Sequence, residues 1–540
     1  MLSTRRVTDK LARSVAVWKF QRAFSVAAPT GPLAGLRILD LSRILAGPSA
    51  TMLLGDMGAT VIKIEKPLTG DDTRRYAPPF LNKNEAGEDS EIAAYFSSCN
   101  RNKYSVDLNF TKPEGQEILH KLLKNSDVVI ENFKAGTLDK YGLGYSHLHE
   151  MYPGLVYCSI TGFGHTGPYS KRPAYDMLIQ AMGGSMSITG VPDGEPMKMG
   201  LSMFDLTAGL HACIGILAAL RSKAETGLGQ HVDIAMLDVS VALLQNQGMN
   251  YLAKHTRQAR VGNNHPNVVP YQVMPSSDGH FILTASNDAQ FENFCKVAGT
   301  EYLMEDERFN TMKARVVNRD YVTPALNEIT SGQTTRWWLK NLEKANVGCA
   351  PILHLDEVFE NPQVKARGME IKMQPPGSEV PVSLIGSPMK FSSTKVNYRI
   401  PPPRLGQHTD SVLQQAGFTA AHIEKMRDLG IIGPPAEPDG LTEDQSVSEE
   451  VPEVQDISSI KGATWENIRS MSVPMPGIAP AAMPAPPRQN VKPTKFSGST
   501  WDNVKSMSVP TAHQNFAKQA AKVSKPVPGS VGSSRPESTE

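Results

Sequence analysis

The stretch "GLRILDLSRILAGPSATMLLGDMGATVIKIEKP", residues 35–67, decides the fold class. "LRILDLS" (36–42) is a short apolar strand. Gly47-Pro48 then opens "PSATMLLGDMG", with proline at the first helical position and Gly58 just past the end as start and stop signals. "TVIKIEK" (60–66) is a second strand and completes a βαβ unit. The rhythm continues in a helix over 113–124 and strands at "DVVIENF" (127–133) and "GLVYCSI" (154–160). Strands alternating with helices predict an α/β fold around a largely parallel sheet, with its ligand crevice at the carboxyl ends of the strands. No GxGxxG follows these strands, so a dinucleotide cofactor is not indicated.

The rest of the chain is organised around this core. At 540 residues it exceeds one ordinary core. Helices around the strand "QHVDIAM" occupy 203–253; "PYQVMPSSDGHFILTAS" (270–286) reads as a hairpin turning at Asp278-Gly279, followed by helices to about 345. The expected division is 31–235 for a large domain, 236–350 for a smaller α+β domain with linkers, and 351–432 for a return to the large domain. Beyond Gly433 the chain is rich in Pro, Ser and Ala and is expected to be a disordered tail, 433–540. Within it "GATWENIRSMSVP" (462–474) recurs as "GSTWDNVKSMSVP" (498–510). The pair reads either as a bivalent motif anchored by Trp465 and Trp501 for an unidentified protein partner, or as a duplication in a tolerant tail.

Composition excludes several classes. Basic and acidic counts of 55 and 54 nearly cancel, which argues against a general nucleic-acid binder. Five scattered cysteines show no CxxC or His-rich spacing; they read as reduced thiols of an intracellular protein, with no metal site. The apolar run "GLHACIGILAAL" (209–220) is shorter than a bilayer requires, so no membrane span is expected. The first thirty residues hold six basic side chains and one acid, Asp9, with Val7, Leu11, Val15 and Trp18 on one helical face. That is the composition of a mitochondrial transit peptide (1–30), and it predicts a matrix location.

Cations recur after the strands: Arg43, Lys66, Arg74, Arg75, Arg101, Lys103, Lys134 and Lys140. Converging on one edge, they would suit a phosphorylated ligand; taken singly, each reads first as a solvated surface charge. In "KRPAYDMLIQAMGG" (171–184) one carboxylate, Asp176, follows the glycine-broken run "SITGFGHTGPYS" (159–170). It reads as a helix-capping surface aspartate or as a nucleophile aimed into a backbone-lined pocket.

The opening stretch, with "NRNK", "ENFKAG", "SITGFGHTGP", "AYDMLIQAMGG", "FDLTAGLHA" and "PPPRLGQHTDSVL" in order over about 34–432, resembles the class III coenzyme A transferases, the CaiB/BaiF family. The resemblance implies a Rossmann-like CoA-binding large domain, a small domain, and two chains interlocked as a ring-like homodimer. It implies Asp176 as catalytic nucleophile. It places CoA contacts at Arg43, Leu45, Ala46, Lys66, Lys103, Asn132, Phe133 and Lys140. CoA then enters as an acyl-CoA co-substrate, with no tightly bound cofactor. Leu45 stands where some members carry a glutamine.

A carboxylate nucleophile would split the exchange through covalent intermediates, and Gly162, Gly164, Gly183 and Gly184 would let backbone N–H groups approach the oxyanions. "VGNNHPNVVPYQ" (261–272) stands where relatives carry a glycine-rich loop; Gly262, Asn263, Asn264 and His265 make a polar candidate substrate loop, His265 before proline being equally a turn residue. With "PPPRLGQHT", this loop is similar to the members that use succinyl-CoA and glutarate-like dicarboxylates, and Arg260 or His265 is the candidate partner of the second carboxylate. The α-methylacyl-CoA racemases of the same superfamily carry a histidine where Tyr175 stands, and tyrosine is too weak a base near neutral pH. A third reading is a degenerate transferase core serving as scaffold for the tail.

Overall fold

The computed structural model describes residues 30–81, 92–375, 378 and 380–435. All but the last residue of the expected transit peptide (1–30), the tail from residue 436 and both Trp motifs lie outside the described residues. Six parallel strands form the main sheet: β1 Arg37–Asp40, β2 Thr60–Glu65, β3 Lys103–Asp107, β4 Val128–Glu131, β5 Val156–Thr161 and β6 His231–Ala235. Their order is β3-β2-β1-β4-β5-β6. The chain therefore winds outward from β1 and then from β4 in opposite directions, opening a crevice where the loops after β1 and β4 diverge.

β3 lies in "NRNKYSVDL" (100–108), where the sequence reading assigns no strand. Its alternation hides because both faces are covered: Tyr104 and Val106 join one apolar layer, while Lys103, Ser105 and Asp107 are buried on the other side. Helix α1, Ala46–Asp56, begins two residues earlier than proline placement suggests, so Pro48 is its third residue. Helix α2, Pro113–Leu123, does start at its proline.

Each sheet face buries one set of alternate strand residues. Leu39, Ile62, Val106 and Val129 pack under Ile118 and Leu122 of α2, together with Val412, Leu413, Ile423 and Met426 from the carboxyl-terminal helices Thr409–Gln415 and Ala420–Asp428. Ile38, Val61, Ile130 and Cys158 pack under α1 and a long helix, Met203–Thr226, which contributes Ala208, Ala212, Ile216 and Ala219. A Cβ on Gly209 of that helix would lie 2.6 Å from the Ala46 carbonyl oxygen, so the two helices touch backbone to backbone.

The long helix has 24 residues and is apolar enough to cross a membrane, longer than its apolar run suggests. Its inner face is part of the core just described, whereas Leu206, Leu210, Ile214 and Leu217 are exposed along its outer face.

A second, antiparallel sheet joins β7 Tyr271–Ser276, β8 Gly279–Thr284 and β9 Gly348–Pro351. Ser276 pairs with Gly279, so the hairpin turns on Ser277-Asp278, one residue before the expected pair. This sheet has its own core of Phe281, Leu283, Phe294, Trp338 and Leu342.

One core carboxyl stands out. Glu131, the last residue of β4, is buried; burial, then the neighbouring Asp233 and Asp139 carboxylates, push it up to about 7 against the bonds from Ser159 and the Phe133 N–H. Its ordinary value is 4.5, so the folded chain holds this proton more tightly than the unfolded one. Its contribution to stability is complete below about pH 4.5 and is lost as pH rises through about 7. Glu131→Gln, neutral at every pH, should stabilise the fold more at pH 8 than at pH 5, by on the order of 3 kcal/mol at most, and so raise the melting temperature more at pH 8. Equal shifts at both pH values in differential scanning calorimetry would refute this account.

Candidate active site

The crevice is built by clamping two loops together. The Asn132 carboxamide accepts from the Arg43 N–H (2.8 Å) and donates to the Arg43 carbonyl (2.7 Å), tying the end of β4 to the loop after β1. Ile44 is held at φ +69, an uncommon conformation for a β-branched residue, with its N–H donating to both Asp71 oxygens at 3.2 Å. Burial alone would raise the Asp71 carboxyl, but the Lys63 ammonium and the Thr73 N–H override it and bring it down to about 2. Leu45 then caps α1 without a side-chain hydrogen bond, and Leu45 and Ala46 at the uncapped start of the helix line the crevice.

Two cavities meet here. One, of about 390 Å³, is lined by Arg43, Leu45, Ala46, Asn132, Phe133, Lys134, Gly162, Arg172, Tyr175 and Asp205. The other, of about 450 Å³, is lined by Lys66, Leu68, Asp71, Leu108, Phe110 and Thr111, with Arg43 and Phe133 shared. The Arg43 guanidinium lies 5.4 Å from the Phe133 ring centroid and pairs with Asp72 at 2.8 Å.

The sequence-predicted cations separate into two groups. Arg43, Lys66 and Lys134 line the cavities. Arg74, Arg101 and Lys103 do not: they are buried in ion pairs with Glu65, Asp56 and Asp40. Lys103 is 0% exposed, and its ammonium also donates to the Pro48 carbonyl and the Asn100 side chain at 2.9 Å. It opens β3 instead of following a strand, so the chain buries it within the sheet layer. Lys140, in the turn Leu138–Tyr141, and Arg75 are exposed and line neither cavity.

Asp176 is the first residue of helix α3, Asp176–Met182, and is half-buried beside the cavity-lining Tyr175 and Asp205. Its Oδ1 accepts the N–H groups of Phe204 (2.7 Å) and Asp205 (3.2 Å), in the first turn of the long helix Met203–Thr226. Its Oδ2 accepts from the Gln180 amide at 2.5 Å. Burial first, and the Asp176 charge second, push the Asp205 carboxyl up to about 7. Sequence reasoning passed over Gln180, although its spacing of four from Asp176 on one helix face was a usable signal.

Gly162 and Gly183 act by packing, while Gly164 and Gly184 hold positive φ angles of +79 and +89. A Cβ on Gly162 would lie 2.0 Å from that of Ala174, so the end of β5 presses against the segment that delivers Tyr175 and Asp176. Gly183 packs in the same way against Ser240.

The candidate substrate loop is tied to its own surroundings. Gly262 donates to Gly190 (3.0 Å), the Asn264 amide to Val261, and the His265 N–H to Tyr271, while His265 Nδ1 accepts from Asn267. Arg260 donates to the carbonyls of Val191, Pro192 and Gly194. None of Gly262, Asn263, Asn264 and His265 lines either cavity.

A wound parallel sheet with a crevice at its switch point and a carboxylate held by backbone N–H groups defines the class of site. The model of CoA-transferase family III matches residues 33–409. Among curated proteins, the succinate–glutarate CoA-transferase of Agrobacterium fabrum is 44% identical over 388 residues, 71% of this chain and 95% of that protein. The human succinyl-CoA:glutarate CoA-transferase is 40% identical over 384 residues, 71% of this chain and 86% of that protein. Among solved structures, a CaiB/BaiF family protein from Brucella suis has 46% identity and a TM-score of 0.64, covering 72% of this chain and 100% of its own. The chain belongs to CoA-transferase family III, and it is a CoA-transferase acting on CoA thioesters.

The placement of Lys103 makes a prediction. Lys103→Met leaves the Asp40 carboxylate short of a buried partner and should cost on the order of 3 kcal/mol in urea unfolding. A variant of undiminished stability with only a raised KM for acyl-CoA would show that Lys103 acts on ligand instead.

Proposed function

We propose that the enzyme moves CoA from succinyl-CoA to a glutarate-like dicarboxylate, with Asp176 carrying the acyl group and CoA in turn. The observation that supports this best is the Asp176 carboxylate itself, oriented by three N–H donors and flanked by Tyr175 and Asp205 of the smaller cavity. Asp176 attacks the thioester carbonyl; the C–S bond breaks and CoA leaves as thiolate, giving a mixed anhydride. The thiolate attacks the Asp176 carbonyl carbon, expelling succinate and forming an aspartyl-CoA thioester. The acceptor carboxylate attacks that carbon and releases thiolate again. The thiolate takes the new acyl group, and the free Asp176 carboxylate returns. No net proton is consumed.

In this reading CoA is a co-substrate lodged across both cavities by Arg43, Leu45, Ala46, Lys66 and Phe133, with the uncapped start of α1 favouring its phosphates. Asn132 acts through its clamp on Arg43, and Lys140 approaches from the exposed turn. Gly262, Asn263, Asn264 and His265 close over the site when substrate binds, and the names of the relatives from Agrobacterium and human support a dicarboxylate acceptor. The exposed row Leu206, Leu210, Ile214 and Leu217, with Met177 and Leu178 beside Asp176, supports an interlocked homodimer that covers them. The separate core around Phe281 and Trp338 supports a small domain over 236–350. The basic N-terminal arm supports a matrix location, and the two Trp motifs support a tail-bound protein partner.

The test is CoA exchange from succinyl-CoA to a panel of carboxylates, with Asp176→Ala beside the parent. Glutarate should be the preferred acceptor, and the variant should lose more than about a thousandfold in turnover. Formate competing equally with glutarate would remove the dicarboxylate assignment. Deuterium uptake into a 2-methylacyl-CoA without exchange would favour the racemase reading.

A further inference from the structure

We infer that Gln180 is a second catalytic residue, whose amide selects Oδ2 of Asp176 as the attacking oxygen and then supports that oxygen as it departs. The inference rests on the aspartyl reading above. Gln180 is 1% exposed, and its orientation is fixed by its surroundings. Its Oε1 accepts the Met199 N–H at 2.8 Å, so its Nε2 must be the atom that faces Asp176. The same nitrogen lies 3.4 Å from the Leu201 carbonyl, so one side chain also pins the segment that leads into Phe204 and Asp205.

The two oxygens of Asp176 are thereby made unequal. A carboxylate oxygen has two in-plane lone pairs. Those of Oδ1 are both engaged, by the N–H groups of Phe204 and Asp205. Oδ2 has one engaged, by Gln180, and one free to form the bond to the thioester carbon. After attack Oδ2 becomes the bridging oxygen of the anhydride and Oδ1 remains the carbonyl oxygen. When the CoA thiolate adds to Cγ, negative charge develops on Oδ1, facing the two backbone donors at the start of a 24-residue helix. The Cγ–Oδ2 bond then breaks, and the electron pair leaves with Oδ2 on the released carboxylate. The Gln180 amide already donates to that oxygen, so its hydrogen bond strengthens as the charge arrives.

Two variants test this in steady-state exchange of the full chain with succinyl-CoA and glutarate. Gln180→Ala should lower kcat roughly a hundredfold, the loss typical of one donor to a developing charge, with KM for succinyl-CoA little changed. Gln180→Glu keeps the volume but donates only when protonated, so its kcat should rise as pH is lowered, where the parent shows no such gain. A Gln180→Ala enzyme turning over within about twofold of the parent, while Asp176→Ala is dead, overturns the role of Gln180 and leaves the nucleophile intact. An active Asp176→Ala enzyme overturns the nucleophile reading and this inference with it. Gln180→Glu lacking any acid-side recovery, with its melting temperature lowered, would make Gln180 a packing residue only and overturn the proposal.

Discussion

Everything at the crevice stands on one buried layer of charge. Asp40, Glu65 and Asp71 face Lys63, Lys103 and Arg74 beneath the ends of β1 and β2, all of them within the protein interior. Removing such ions from water is costly, and it is tolerated because signs alternate and the remaining hydrogen-bonding capacity is filled. Lys63 also donates to the Ser42 carbonyl, Thr51 to Asp40, and Ser105 to Glu65. The layer thus reaches from β3 through β1 into α1 and the turn at 71–74. Asp71 then holds Ile44 in its left-handed conformation, which points the start of α1 at the cavity. A polar platform, more directional than an apolar one, sets loop geometry where a ligand with several charges must be received.

That layer also marks where the sequence could and could not be read. β1, β2, β4 and β5 declared themselves through runs such as Val128-Val129-Ile130, buried on both faces. β3 did not, because Lys103, Ser105 and Asp107 resemble a solvated loop until their partners on other strands are known. For the same reason Arg74, Arg101 and Lys103 looked like ligand-binding cations: a one-dimensional text shows a charge but not the carboxylate that neutralises it. Asp176 was legible through its motif and Gln180 only through its spacing of four on one helix face; which atom of its amide meets the carboxylate depends on Met199. The substrate loop was legible as a polar turn, and its ties to Gly190 and Tyr271 come from pairings that no local pattern encodes.

The approach of the two helices that serve Asp176 follows from small residues. Gly162 against Ala174 brings α3 to the sheet, and Gly209 against Ala46 brings the long helix to α1. Only with both contacts made do Phe204 and Asp205 meet the carboxylate. The nucleophile is therefore positioned by close backbone packing, which side-chain volume at either glycine would undo.

The return of the chain to its own beginning has a consequence for biogenesis. Gly406 donates to Ser105, and Arg74 to Pro403, across 301 and 329 residues of sequence. Val412, Ile423 and Met426 complete the layer over Ile62 and Val106. As the polypeptide is synthesised, β1 to β6 emerge with part of one face uncovered until residues near 432 are made. The sheet closes late, and in that interval an exposed row of valine and isoleucine is open to wrong partners. Any protection of the nascent chain has to last until the final helix of the core, Ala420–Asp428, arrives.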